Sequence, residues 1–448
     1  RRGAVDLWGG IISVKFYQEP AKKTPIAAEV DVLVVGGGPA GFSAAVNASR
    51  SGAKTMLIEL AGQVGGMATT GLMSHWTGST QGGFYEELLD RSHEDPKHRQ
   101  IINPEILKFE MLKMLNEENV ELRLYTMVVD VIMEGNKTVG VITESKSGRE
   151  AFMAEVVIDG SGDGDIAAKA GVPYYKGRED DGKMQPVTIM FKVAGVDTER
   201  ALLPGSFETT FDVPGGDLQT LAKEHIPHPA GHVLLYRTTL PGVITCNMTN
   251  SVDIDGTSAE DLTKAEYVCR SQIPHIVSFL RKYVPGFEDC YVIASAANVG
   301  VRETRHFHGE YMLTEEDILS ARKFDDWVVT KAHFNFDVHS LTGPGLDETG
   351  MQKEFPQDNS YTIPYGCLLP QKVEGLLLAG RNISGTHMAH SNFRVMPICA
   401  NIGQAAGVAA ALAVKHNVLP RRLDVGLIQA VLKKQGVDGL QPAASSPN

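Results

Sequence analysis

Residues 30–59 read VDVLVVGGGPAGFSAAVNASRSGAKTMLIE. An apolar run, a glycine turn, a small-residue segment with helical spacing and a second apolar run follow one another, as in a strand, a turn, a helix and a parallel strand. Gly36, Gly38 and Gly41 have the GxGxxG spacing, with Pro39 and Ala40 between them. Each glycine has a physical task. Gly36 permits the tight turn, Gly38 lets backbone approach a pyrophosphate, and Gly41 lets the helix pack on the strand. The helix N-terminus favours the phosphate charge. Glu59, about 20 residues on, ends the second strand and can accept hydrogen bonds from a ribose diol. The unit points to a dinucleotide and does not by itself say which one.

Reading outward, residues 105–115 (EILKFEMLKML) have helical spacing, and residues 121–145 read as strands with a turn at Gly135-Asn136. AEVVIDGSGDGDIAAKAG (154–171) is a strand, a glycine turn and a helix. From about 185 to 290 this rhythm gives way to mixed strands, Pro- and Gly-rich loops and one amphipathic helix near residues 261–284. EGLLLAGRN (374–382) then returns as a strand ending in glycine, and NIGQAAGVAAALAVKHN (401–417) as a small-residue helix. Alone, these late elements cannot bury their faces, so they are expected to rejoin the first domain. The predicted fold is α/β. A Rossmann-like nucleotide-binding domain in two segments, 27–185 and 291–418, encloses an inserted mixed α+β substrate domain, 186–290. A C-terminal helix and a disordered tail (QPAASSPN) occupy 419–448.

The chain has 448 residues, 43% apolar and 21% charged, which suits two or three globular domains. A net charge of -12, with Lys and Arg spread along the chain, argues against nucleic acid or an anionic membrane surface as partner. No apolar run approaches the roughly 18 residues of a membrane span, and GQAAGVAAALAV reads as a buried helix. RRGAVDLWGG lacks an initiator Met and a continuous apolar core, so its paired Arg is not by itself an export signal. The five cysteines are widely separated and form no CxxC pair. The expectation is a reduced, cytoplasmic protein, with export of a processed form left open, and not a disulfide reductase, which needs two adjacent thiols.

A second glycine-rich loop, AGQVGGMATTGLMSHWTG (61–78), follows Glu59 and resembles the segment that FAD proteins lay along the pyrophosphate and the flavin edge. Together with VVIDGSGDGDIAAKAG, NVGVRETRHFHGEY (298–311) and GLLLAGRNISGTHMAHSNFRVMPICANIGQAAGVAAALA (375–413), it makes the chain resemble the FAD-dependent oxidoreductase family of glutathione-reductase-like flavoproteins, related to fumarate reductase flavoprotein subunits. The resemblance runs from about residue 30 to 415. It implies FAD as the cofactor, with Gly65, Gly66 and Met67 against the pyrophosphate and flavin. Val128 would meet the adenine through backbone, and Gly160, Gly162 and Asp163 would border the adenosine end. Gly380 and Arg381 would lie at a strand end approaching the cofactor. Met396 and Pro397 would open a helix facing the pyrimidine edge of the isoalloxazine, where a helix N-terminus stabilises the charge of reduced flavin by roughly 0.3–2 kcal/mol. AGRN departs from the acidic residue that many disulfide reductases carry at that strand end. His75 follows the glycine pair, whereas the fumarate-reductase relatives attach flavin through a His ahead of it, so the FAD is expected to be non-covalent.

For substrate chemistry the candidates are Arg302, Arg305, His387, His390 and Arg394, with His306 and His308 beside them. Arg and His hold a carboxylate or carbonyl and move a proton while a flavin moves the hydride. The five are expected to converge on one face of the isoalloxazine; the structural alternative pairs an arginine with Glu303 or Glu310. The HxxH spacing of His387 and His390 also suits a metal, but no third clustered ligand is visible in the sequence, and no metal is expected. With one fingerprint there is no separate NAD(P)H domain. The expected function is hydride transfer between flavin and a small polar substrate, with an unidentified second electron partner. The alternative is a protein whose flavin is structural or regulatory. No sequence feature indicates the oligomeric state.

Overall fold

The computed structural model describes residues 16–350 and 360–439. Its main sheet is built around β1 (Ile26–Val35), whose VLVV end is buried on both faces, as a parallel strand covered on both sides requires. β2 (Thr55–Ile58) lies parallel beside it, then β3 (Glu121–Arg123). β4 (Met127–Glu134) and β5 (Lys137–Ser145) form an antiparallel hairpin closed at Gly135-Asn136, and β6 (Gly148–Asp159) joins it to β1. The order is β3-β2-β1-β6-β5-β4. The late strand Leu376–Leu378 pairs parallel with the end of β6. Val35 and Leu378 both lie opposite Asp159, so three strand ends stop side by side. Ligands of such sheets bind outside the carboxyl ends of the strands.

Helix Pro39–Arg50 and helix Met396–Lys415 pack against each other through small residues. A Cβ on Gly403 would stand 1.9 Å from the Ala40 carbonyl oxygen, and one on Gly407 2.2 Å from that of Ala44. The late helix opens at Met396 and Pro397, as the resemblance implied. Its 20 residues are apolar enough to cross a membrane, but 94% of its most apolar window is buried inside the protein. The first turn, Met396-Pro397-Ile398-Cys399, adds the apolar length.

The inserted segment builds a four-stranded antiparallel sheet in the order Leu235–Arg237, Ile244–Cys246, Phe191–Ala194 and Tyr291–Ser295. Its last strand begins one residue past the expected boundary at 290. Helices Leu218–His225 and Ala259–Tyr283 pack on it, and Phe191, Leu218, Leu280 and Phe287 belong to an apolar core distinct from that of the main sheet. The chain returns through a bridge between Thr188 and Gly300 and a short pairing of Arg305–Phe307 with Tyr174–Lys176. A C-terminal helix spans Val425–Lys434. RRGAVDLWGG and QPAASSPN lie outside the described residues.

Candidate active site

A cavity of about 670 Å³ opens at the three strand ends, within the roughly 300–1,000 Å³ usual for ligand sites. The glycine turn forms its floor. Gly36 has φ +94°, and a Cβ there would strike the Gly160 carbonyl. A Cβ on Gly41 would lie 1.8 Å from the Gly36 oxygen, so Gly41 packs helix to turn and does not line the cavity. Gly38 is different: a Cβ there meets nothing within 4 Å, because it points into the cavity. Pro39 and Ala40 line the same wall. Glu59 accepts from Gly37 N and Ala61 N, both at 2.6 Å, which fixes its carboxylate at the cavity edge beside Val128.

The second glycine loop docks on the first, with Gly65 N donating to Gly37 O at 2.7 Å. Gly66 and Met67 line the cavity, while Gly65 lies behind them. Gly160, Gly162 and Asp163 form the wall after β6, and Gly380 and Arg381 the wall after Leu376–Leu378. Asp163 Oδ1 accepts from Arg381 Nη2 at 2.8 Å and binds these walls together. The fully buried Asp159 beneath them has its carboxyl pushed up to about 6 by burial, against hydrogen bonds from Ser161 and the Ala167 amide. Met396 reaches the cavity from the first turn of the late helix, which no side chain caps, while Pro397 is buried in that turn.

The structure divides the five residues expected to converge. Arg394 lines the cavity; Arg302, Arg305, His387 and His390 are not in its wall. Arg394 Nη2 donates to Asp337 Oδ2 at 2.9 Å, and its Nε is buried without a hydrogen-bond partner. Arg302 lies in the same field. It donates to Pro186 O and Thr188 Oγ1, and burial, with Arg394 nearby, pushes its guanidinium down to about 10. Burial would raise the Asp337 carboxyl, yet His339, Arg394 and Arg302 hold it well below the usual carboxylate range. His339 is pushed down to about 4 by burial and Arg302. Two guanidiniums thus face one carboxylate and one imidazole that is neutral at pH 7.

Arg305 donates to Asp163 O and Asp165 Oδ1 and lies over the Tyr174 ring. The structural alternative, an arginine of this segment paired with Glu303 or Glu310, does not form either. Glu303 turns to histidines, and Glu310 pairs with Arg421. Glu303 Oε1 lies 2.8 Å from His306 Nε2 and 2.5 Å from His387 Nδ1. These hydrogen bonds outweigh burial and keep its carboxyl well below the usual range, and Glu303 in turn raises His387 against the effect of burial. His390 sits beside His306, its rings 5.0 Å apart, and burial pushes it down.

Glu303, His306 and His387 bring three buried donor atoms within 4.8 Å of one another. The cluster shares only His387 with the HxxH pair and leaves His390 out, so the HxxH spacing gains no third ligand. The two short separations are hydrogen-bond lengths, whereas two ligands on one tetrahedral zinc lie roughly 3.4 Å apart.

Sequence reasoning missed several residues of this region. Thr70, Asn298, Leu262 and Glu266 line the cavity, and Asp337 and His339 stand behind Arg394. Thr70 and Asn298 lie inside motifs already singled out, GGMATTG and NVGVRETRHFHGEY. Asp337 and His339 carried no local signal.

The chain matches the FAD dependent oxidoreductase family over residues 31–432. A 51-residue stretch is 53% identical to fumarate reductase (cytochrome) of Shewanella frigidimarina, and covers 11% of this chain and 9% of that protein's length. Among solved structures, it is similar to a geranylgeranyl bacteriochlorophyll reductase-like protein from Thermoplasma acidophilum, at 14% identity and a TM-score of 0.48, over 92% of this chain and 84% of that one. It is also similar to p-nitrophenol 4-monooxygenase from Pseudomonas putida DLL-E4, at 12% identity and a TM-score of 0.45, over 92% and 84%.

Proposed function

The chain belongs to the FAD dependent oxidoreductase family, and from that premise we propose that it transfers a hydride between FAD and a small polar substrate bearing a carboxylate or carbonyl, held by Arg394 with the charge of Arg302 behind it. Bound FAD supplies the two-electron chemistry. The residues present fit it: Gly38 leaves open space where backbone must approach a pyrophosphate, Glu59 is fixed at the nucleotide end, and Met396 presents an uncapped helix N-terminus to the cavity.

The observation that carries the substrate reading is Arg394 itself, a charged side chain in the cavity wall whose Nε is buried and makes no hydrogen bond. A guanidinium so placed holds an anionic or carbonyl oxygen by a charge-assisted hydrogen bond. Arg302 adds a second positive charge and Asp337 orients Arg394 without neutralising both. A neutral His339 beside Asp337 leaves the guanidiniums as the only full positive charges of the group at neutral pH. Arg305, His387 and His390 act from behind this wall.

The test is an anaerobic screen of small carboxylates and carbonyl compounds against the FAD-loaded protein. At least one is expected to bleach the flavin, and Arg394→Ala is expected to lose that bleaching while keeping FAD. Equal bleaching by wild type and variant contradicts the assignment.

A further inference from the structure

Arg302 and Glu303 are neighbours with different partners. Arg302 donates to Pro186 O and Thr188 Oγ1 within the field of Asp337 and Arg394, while Glu303 is buried against His306 and His387. Glu303 Oε2 accepts from Gln185 N at 2.9 Å, and Gln185 Oε1 accepts from His339 N at 3.1 Å. His339 Nε2 lies 3.5 Å from Asp337 Oδ1, and Asp337 holds Arg394. Arg394 is the C-cap of helix His387–Phe393, whose first residue returns to Glu303 Oε1. The contacts close a ring through both arginine-bearing segments. His306 completes the attachment: its Nδ1 faces the Gly385 carbonyl at 3.0 Å and its Nε2 faces Glu303 at 2.8 Å.

We propose that Glu303 is the positioning residue of the Arg302–Arg394 pair: a buried carboxylate that fixes the segment of Arg302 directly and that of Arg394 through His387, without touching cofactor or substrate. A neutral amide accepts these hydrogen bonds with less strength than a carboxylate, and one of its hydrogens points at a donor. Helix His387–Phe393 then loses its anchor, and Arg394 its fixed place in the wall. The substrate consequence rests on the function proposed above; the electrostatic consequence for the flavin does not.

The experiment compares FAD-loaded wild type with Glu303→Gln and Gln185→Ala, measuring FAD per chain, metal content, flavin midpoint potential and acetate affinity from flavin absorbance. Glu303→Gln is expected to retain FAD, to shift the potential, since a buried negative charge is lost and the arginine segments are released, and to weaken acetate binding about tenfold. Gln185→Ala breaks the same ring elsewhere without removing a charge and is expected to shift the potential negative as Arg394 loses its fixed place. It decides the matter if Glu303→Gln does not fold. Unchanged potential and acetate affinity in FAD-loaded Glu303→Gln, or unchanged potential in Gln185→Ala when that variant must decide, overturns the proposal. So does one equivalent of tightly bound metal in wild type that Glu303→Gln loses, since the histidines would then be ligands. If acetate does not perturb wild type at all, the substrate reading fails while the potential still decides the role of Glu303.

Discussion

Arg394 and Asp337, 57 residues apart, meet through two hydrogen bonds of 2.9 Å, from Nη2 to Oδ2 and to the Asp337 carbonyl. The pairing spends one terminal nitrogen and leaves Nε unused at the cavity wall. Arg394→Ala is therefore expected to weaken the binding of a small carboxylate at least tenfold, about 1.4 kcal/mol, with FAD retained. Stability is expected to fall by roughly 1–3 kcal/mol, because Asp337 loses a charged donor. Acetate titration of the flavin spectrum and thermal melting measure the two effects, and an unchanged affinity removes Arg394 from the substrate site.

Glycines of one motif should fail in different ways. Gly38→Val is expected to keep the fold and lose FAD, since its side chain enters open cavity and nothing in the protein opposes it. Gly41→Val is expected to disrupt the fold itself, its Cβ falling 1.8 Å from the Gly36 oxygen. Flavin content read beside circular dichroism separates the two. A Gly38→Val protein with a full complement of FAD would falsify the cradle.

Acid precipitation is expected to release free FAD. His75 is half-buried, with Nδ1 against Ser74 Oγ and Nε2 against Thr77 Oγ1, and its ring packs on Tyr236. Both nitrogens are engaged, which leaves neither for a flavin bond. Colour remaining in the pellet contradicts this.

Stability should fall on mild acidification. Burial pushes His75 and His339 down to about 4 and His232 to about 3, against about 6.5 in the unfolded chain. Below about pH 6.5 the unfolded state binds more protons, so stability is full above that pH and is lost toward pH 4. Asp159, raised to about 6, and His387, raised by Glu303, work the other way, but His390, pushed down by burial, adds to the three lowered histidines. Each unit between folded and unfolded values is worth about 1.4 kcal/mol. Melting temperatures from pH 7 to 4.5 are expected to decline, less steeply in His232→Gln; equal slopes would remove His232 from the explanation.

The nucleotide cradle was legible because its instructions are local. Gly36, Gly38, Gly41 and Glu59 fall within 24 residues, and each does a task that only its residue type does. The two-segment sheet followed from the need of Leu376–Leu378 and its helix for a partner. The candidate substrate wall was not legible in the same way. Arg302 and Glu303 are adjacent, yet their partners are set by contacts such as the bridge between Thr188 and Gly300, across 112 positions. Asp337 and His339 gain their significance only from Arg394 and Gln185, far away in the chain. Five cations in two short segments suggested one site, but burial made partners the stronger need: His387 took Glu303 and Arg305 took Asp165.

The most direct measurement is a crystal structure of the FAD-loaded protein with a small carboxylate bound. The isoalloxazine is expected beside Met396 and the N-terminus of its helix, the pyrophosphate over Gly38, and the carboxylate within about 3.2 Å of Arg394 Nε or a guanidinium nitrogen of Arg302. A flavin ring more than about one Debye length, 10 Å, from both Arg394 and Arg302 would contradict the account.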